Sequence, residues 1–393
     1  MSRNIYKVIR KSSFIPIVVV LGIYLLLILS YIRPYQHNLS SLLKIDERNA
    51  NYRAELIPAG TVVFHGNGYD GQYNYYIAKD LVFKDAFTDA FRYQRILYPL
   101  LAKVVSFGND RWLCYSFIII NLLSILLGMI YLKKLIEMNQ AKTSLNSLLI
   151  LYGLNLGFIL GTLYDLGTPL AISLMVVGLY FCKREKVGLC SLFLACSLLT
   201  MENAILVIVP LFLYFIWKKA VQKSIFMLIS MVPWLLWQLI LWNHFRVIPI
   251  LSSAGVLTLP FYGMAQQLFD IISHHYSSWT ELLRQTNIVW MMLFVLVSLV
   301  ISVALFSKYK DLFSLLVAGQ ALFGVLLSQP MIWAHTITSP ARVLCGIFPW
   351  LILVYIQNLT NKWTHFLICF SWFLSLLGIF RVFVLPYHSY FIK

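Results

Sequence analysis

The feature that most constrains this chain is the apolar run that keeps returning. "IPIVVVLGIYLLLILSYI" at 15–32, "FIIINLLSILLGMIYL" at 117–132 and "VWMMLFVLVSLVISVALF" at 289–306 contain no Asp, Glu, Lys, Arg or His. Similar stretches fill most of the 393 residues, which are 60% hydrophobic and only 12% charged. Runs this long mark segments that cross a lipid bilayer. In hydrocarbon a backbone amide has no water to bond to, so each segment has to satisfy its own donors and acceptors as a helix. The strands of an outer-membrane barrel would alternate apolar and polar residues instead. The expected fold is therefore all-α and polytopic, a single transmembrane unit over 1–393 with about eleven spans. The spans fall near 14–32, 113–132, 145–163, 168–182, 187–200, 203–217, 224–242, 288–306, 312–329, 343–357 and 365–386. Several are shorter than the ~20 residues that cross a bilayer, which predicts that some helices are broken.

The formal charge of +16 belongs to the connections between these runs. "RNIYKVIRK", Lys133-Lys134, "KREK" at 183–186, "WKKAVQK" at 217–223 and "SKYK" at 307–310 occupy alternate loops. All can face the cytoplasm together, with the N-terminus inside and anionic headgroups of the bilayer as their partner. No basic stripe carries interleaved stacking aromatics, which excludes nucleic acid as a partner. The N-terminal apolar run is too long for a signal peptide and reads as an uncleaved first span. The six cysteines lie in or beside apolar runs without a C-x-x-C spacing and read as small buried hydrophobes. The opposite face then receives a long loop, 33–112, and a second, 243–287. It also receives the turns holding Asp165 and Glu202, and the segment from His335 to Arg342. Ionisable groups at span ends on one side of a membrane mark a functional site.

The first outer loop contains "FHGNGYDGQYNYYIAKD", whose Gly66, Gly68 and Gly71 match the G-x-G-x-x-G of a dinucleotide turn. That fingerprint works only in a βαβ unit, and here the chain continues helically and returns to the membrane. The glycines are instead expected to turn the backbone tightly and to present Asp70 at a helix start, where an ionised carboxylate is favoured. Tyr73, Tyr76, Ile77 and Leu81 would then form an interfacial face. "RYQRILYPLLAKVVSF" offers a second interfacial helix, with Arg92 and Arg95 pointing the same way toward anionic groups.

On these residues the chain resembles the GT-C superfamily of membrane glycosyltransferases. "GYDGQYNYYIAKD" followed by "FRYQRILYPLLA" is similar to bacterial membrane proteins of cell-surface glycopolymer formation that share a Tyr-Asp-Gly-Gln loop. Glu202 matches an acid in a later outer turn of those proteins, and Arg342 matches an arginine entering a late span. Met201 stands where a basic residue is usual. The resemblance implies a polyprenyl-phosphate sugar as donor, a glycan, lipid or protein acceptor, and a site on the outer face of the cell membrane. Asp70 is the expected catalytic base. Tyr69, Gln72, Tyr76, Arg92, Arg95, Asp165, Glu202, His335 and Arg342 are the expected substrate-binding residues, the arginines meeting the leaving phosphate. No resident cofactor or metal is assigned; the scattered Asp70, Asp165, Glu202 and His335 leave a divalent cation open. A polysaccharide polymerase or ligase, and a transporter or flippase of lipid-linked sugars, are the competing readings. A transporter would place its charges near the midplane of interrupted helices, and Gly157 and Gly161 are the candidate positions for such a break.

Overall fold

The computed structural model describes residues 14–52, 54–66, 68–84, 90–139, 145–253, 255–276, 278–334, 337–384 and 389–393. Among the described residues five helices are long and apolar enough to cross a membrane: Ile15–Tyr35, Asp110–Met138, Val221–Phe245, Glu281–Tyr309 and Lys362–Phe383. Two more candidates are helix pairs bent at a short break. Asn146–Gly153 meets Leu156–Leu163 at 41°, and Thr338–Leu344 meets Ile347–Gln357 at 50°. Shorter apolar helices, Thr168–Lys183, Val187–Thr200, Glu202–Trp217 and Leu312–Leu326, pack among them. The chain is thus a mostly helical membrane protein of several spans, as the apolar runs require.

The breaks have local causes. At Asn155 the backbone is extended (φ −62°, ψ 148°), and its side chain accepts from the Phe158 N–H as the cap of a new helix. Gly157 lies just past this break and serves packing. A Cβ there would sit 2.3 Å from the Cys345 Cβ and 2.6 Å from the Ala341 carbonyl oxygen. Only a glycine lets the Leu156–Leu163 helix lie this close to Thr338–Leu344, the helix that carries Arg342.

A small sheet departs from the all-helical expectation. Strand β1 (Ile45–Asp46) runs parallel to β2 (Val62–Phe64), and β2 pairs antiparallel with β3 (Tyr390–Ile392). Strands this short have no readable period, and β3 comes from the far end of the sequence. The register Val62↔Ile392, Val63↔Phe391 and Phe64↔Tyr390 pins the C-terminal residues to the first long loop. The Lys393 N–H donates to the Thr61 carbonyl at 3.0 Å, closing the clasp.

The two helices expected at the interface differ in how much apolar surface they expose. Gly71–Lys79 buries Tyr75, Tyr76 and Ile77, so its apolar face belongs to the protein core. Leu97–Val105 leaves Leu100, Val104 and Val105 exposed, and the fully exposed Phe107 follows it. An apolar surface of this kind suits the headgroup boundary of a bilayer.

Candidate active site

β2 leads through the glycine loop directly into the Gly71–Lys79 helix, with Asp70 as the residue before the first turn. Strand, loop and helix do follow one another as in a dinucleotide turn. The sheet, however, is completed by β1, which precedes the loop, and by the antiparallel C-terminal β3, so among the described residues no parallel strand follows the Gly71–Lys79 helix as a dinucleotide turn requires. The glycines serve close approach of backbones. Gly66 has φ +99°, and a Cβ on Gly68 would lie 2.6 Å from the Lys44 carbonyl oxygen. A Cβ on Gly71 would lie 2.3 Å from the Tyr164 carbonyl oxygen and 2.9 Å from that of Leu43. Both of those neighbours are backbone and have nowhere to go. Gly71→Ala is therefore expected to destabilise the fold by about 1–3 kcal/mol through overpacking. It should also lower activity by about a hundred-fold by moving Asp70 some ~1 Å. Thermal unfolding in lipid and a turnover assay read the two effects separately.

Five charged residues from four stretches of chain meet at Asp70. Arg342 Nη1 donates to its Oδ2, Arg92 Nη2 stands 3.5 Å from its Oδ1, and Arg95 Nη1 stands 3.9 Å from its Oδ2. Glu202 takes Arg95 from the other side, accepting from Nε at 2.9 Å and from Nη2. The cluster sums to one net positive charge, three guanidinium groups against two carboxylates. Burial alone would raise the Asp70 carboxyl, but Arg342, Arg92 and Arg95 together hold it well below the usual carboxylate range.

Each arginine is held by something the sequence did not advertise. The Arg92 guanidinium lies 3.8 Å from the centre of the Tyr73 ring, a cation–π contact. The Tyr93–Gln94 backbone between the two arginines is tied to helix Val232–Phe245, where Trp237 Nε1 donates to the Tyr93 carbonyl at 2.9 Å. Gln238 donates to the Gln94 side chain from the same helix. Asn203, next to Glu202, donates to the Val343 carbonyl at 2.7 Å and so locks the Glu202 turn to the Arg342 helix. Tyr69 stands over this helix as well, with its hydroxyl 3.3 Å from Ser339 Oγ and its ring 5.6 Å from the Arg342 guanidinium. The cleft at the cluster measures about 30 Å³, because the arginines fold in on Asp70. Its rim is made of span ends: Gly167 and Thr168, Thr200 and Met201, and Arg342.

Several expected residues do other work. Gln72 is buried and bonds Asp46, donating to its Oδ2 at 2.9 Å and accepting its N–H at 3.1 Å. Tyr76 is buried among apolar side chains away from the arginines. Both are part of the frame. Asp165 stands apart from the cluster: it is fully buried near Tyr98 and Cys114, outside the cleft lining, and its carbonyl accepts from Asn74 Nδ2 at 2.8 Å. Among the described residues neither of its carboxylate oxygens has a hydrogen-bond partner, and burial pushes the group far above the usual carboxylate range. The neutral acid is the form this surrounding tolerates. A carboxyl raised on folding weakens the fold at every pH where the unfolded group is ionised. Asp165→Asn removes that cost, and asparagine accepts the left-handed backbone found there (φ +46°). The variant is expected to melt at an equal or higher temperature, with activity within about three-fold of wild type, as suits a residue outside the chemistry.

His335 lies outside the described residues. Among the described residues no three His, Cys, Asp or Glu side chains converge as a metal site. The two acids that do meet face three guanidinium groups, a setting suited to an anion.

No protein-family model and no curated protein sequence matches the chain. Among solved structures it is similar to the Archaeoglobus fulgidus oligosaccharyltransferase in its apo form, at 12% identity and a TM-score of 0.40. The match covers 93% of this chain and 55% of that one, so the chain spans about half the length of the archaeal enzyme.

Proposed function

We propose that the chain is a GT-C-type glycosyltransferase of the bacterial cell membrane, with about eleven spans and its N-terminus in the cytoplasm. It moves a sugar from a polyprenyl-phosphate donor to an acceptor hydroxyl on the outer face, in the synthesis of a cell-surface glycan. The active site belongs to the first loop, 33–112, and the second loop, 243–287, stands beside it. The observation that carries this reading is one carboxylate of the first loop held by three arginines, one of them, Arg342, from a bent apolar helix pair. An acid and an excess of guanidinium at the membrane surface suit a reaction that needs a base and releases a lipid phosphate.

In the step proposed, the acceptor oxygen attacks the anomeric carbon as its proton passes to Asp70. The bond from that carbon to the phosphate oxygen breaks, and the polyprenyl phosphate leaves with the bonding electrons. Attack opposite the leaving group inverts the anomeric centre. Charge accumulates on the departing phosphate, where Arg92, Arg95 and Arg342 supply fixed positive charge and paired N–H donors. Arginine engaged by phosphate is drawn away from Asp70, so donor binding raises the basicity of a carboxylate that is otherwise held low. The base is thereby strengthened only when a donor is present.

Protein reconstituted in lipid with labelled polyprenyl-phosphate sugars tests the reading. Release of free sugar to water, or its transfer to envelope material, is expected with the lipid-linked donors and not with nucleotide sugars. Turnover of nucleotide sugars alone, or of no donor at all, overturns it.

A further inference from the structure

A second cavity reaches Asp70 from the other side. It is a groove of about 890 Å³, near the upper end of the ~300–1,000 Å³ common for small-molecule sites. It shares Asp70, Tyr73 and Arg92 with the small cleft, so the carboxylate stands in the wall between the two. We propose that this groove binds the acceptor, and that the acceptor is an uncharged, polyhydroxylated glycan chain whose terminal hydroxyl reaches Asp70. The inference rests on the transferase reading and names its acceptor class.

The lining is what distinguishes the two cavities. The cleft presents Arg92, Arg95 and Arg342 against Asp70 and suits an anion. In the groove, Asp46 and Asp70 balance Arg48 and Arg92, and the remaining lining is amide, tyrosine and glycine, with no aliphatic side chain among the described residues. Such a surface has little to offer an acyl chain, and its balanced charges give an anion no net attraction. It matches a sugar chain, whose hydroxyls bond to amides while its C–H faces pack on aromatic rings. Tyr52, 70% exposed, and Tyr69 supply rings at two points along the groove, and Asn49 and Asn51 supply amides.

The floor is built in advance. The buried Asp46 carboxylate accepts from the Asn49 N–H at 2.8 Å, Asn49 Nδ2 at 3.0 Å, Gln72 Nε2 at 2.9 Å and the Gly68 N–H at 3.3 Å. One acid thus fixes the start of helix Glu47–Tyr52 and the start of the Asp70 helix relative to each other. Rigid donors placed before binding reduce the ordering cost of capturing a flexible ligand. Location adds a second reason. Apart from Arg92, every groove residue lies between 46 and 73 in the first loop, whereas the cleft is rimmed by span ends. A lipid-anchored donor is thus met at the span ends, and a chain in water is met by the loop.

The test uses full-length protein in lipid discs, with two variants at exposed positions where folding is least at risk. Tyr52→Ala removes a ring, and Asn51→Trp fills the groove. The probes are labelled polyprenyl-phosphate sugar as donor and two envelope extracts as acceptors, one of water-soluble glycan and one of lipid. Retention of the discs on beads carrying the glycan extract gives a readout that needs no catalysis. Wild type should be retained and should transfer to the glycan extract. Both variants should lose retention and raise the KM for glycan by about ten-fold or more, with the KM for donor unchanged, as loss of a stacking contact worth ~1.4 kcal/mol predicts. Equal retention of wild type and variants, transfer to the lipid extract alone, or a rise in donor KM overturns the groove assignment. If no donor turns over in any protein while retention still separates wild type from the variants, the transferase reading fails and the glycan groove stands.

Discussion

Asp70→Asn is expected to lower sugar transfer by about a thousand-fold, within the ~10²–10⁴ that a positioned base contributes, without weakening donor binding. Asparagine keeps the shape of the side chain and can still accept from Arg342, but it takes up no proton in the attack. It also removes one of the two carboxylates that face Arg92, Arg95 and Arg342. The cluster then carries a larger positive excess, so a phosphate-bearing donor should bind equally or more tightly while kcat collapses. That split separates chemistry from structure. If Asp70 only tied the arginines together, its loss would lower stability and raise the donor KM, and the folded fraction would turn over normally. A stability change is expected in addition, and its sign is fixed. Asp70 is held below its unfolded value, so its ion pairing stabilises the fold fully above that value and is lost as pH falls through the folded one. The variant should therefore melt lower than wild type at neutral pH, with the two curves approaching each other in strong acid. Wild-type kcat in Asp70→Asn would remove the base assignment.

The parts of this site that could be read from sequence are those for which lipid gives no alternative. Glu202 and Arg342 sit at the ends of apolar runs, where a charge with no partner is expensive, and Asp70, Arg92 and Arg95 lie in the outer loop on the same face. Asp165 satisfies the same rule and still turns away, because a carboxyl can also escape its cost by keeping its proton. Span position selects residues that need an explanation and does not say which explanation applies. Gln72 and Tyr76 are near Asp70 in sequence, but a helix that starts at Gly71 turns them into the core. Asp46 carries no sequence signal, because its work is done through hydrogen bonds to Gln72, Gly68 and Asn49, which no spacing announces. The sheet is hidden for a related reason. A C-terminal strand that clasps the loop from more than 300 residues away leaves no periodic trace in either segment.

Arg342→Gln should lower transfer by about a hundred-fold or more, and it should move the acid limb of the pH profile upward. Mutational loss of one charge-stabilising donor in an active site costs ~10²–10³ in kcat. Arg342 is placed to be such a donor, as its guanidinium is the nearest to Asp70 and reaches it from a helix locked by Asn203. The pH dependence follows from the balance at Asp70. Burial raises the carboxyl, and Arg342 is the strongest of the three charges that lower it. In wild type the acid limb of kcat/KM, which reports the free enzyme, should lie below the ordinary aspartate value of about 3.9. With Arg342 removed, Arg92 at 3.5 Å and Arg95 at 3.9 Å oppose burial alone, and the limb should rise toward or past that value. Activity in the variant is then lost on acidification at a pH where wild type is still fully active. Arg342→Lys restores the charge without the paired donors, so it should return the limb toward wild type while recovering only part of kcat. An acid limb that stays in place in Arg342→Gln would mean that a group other than Asp70 takes the proton.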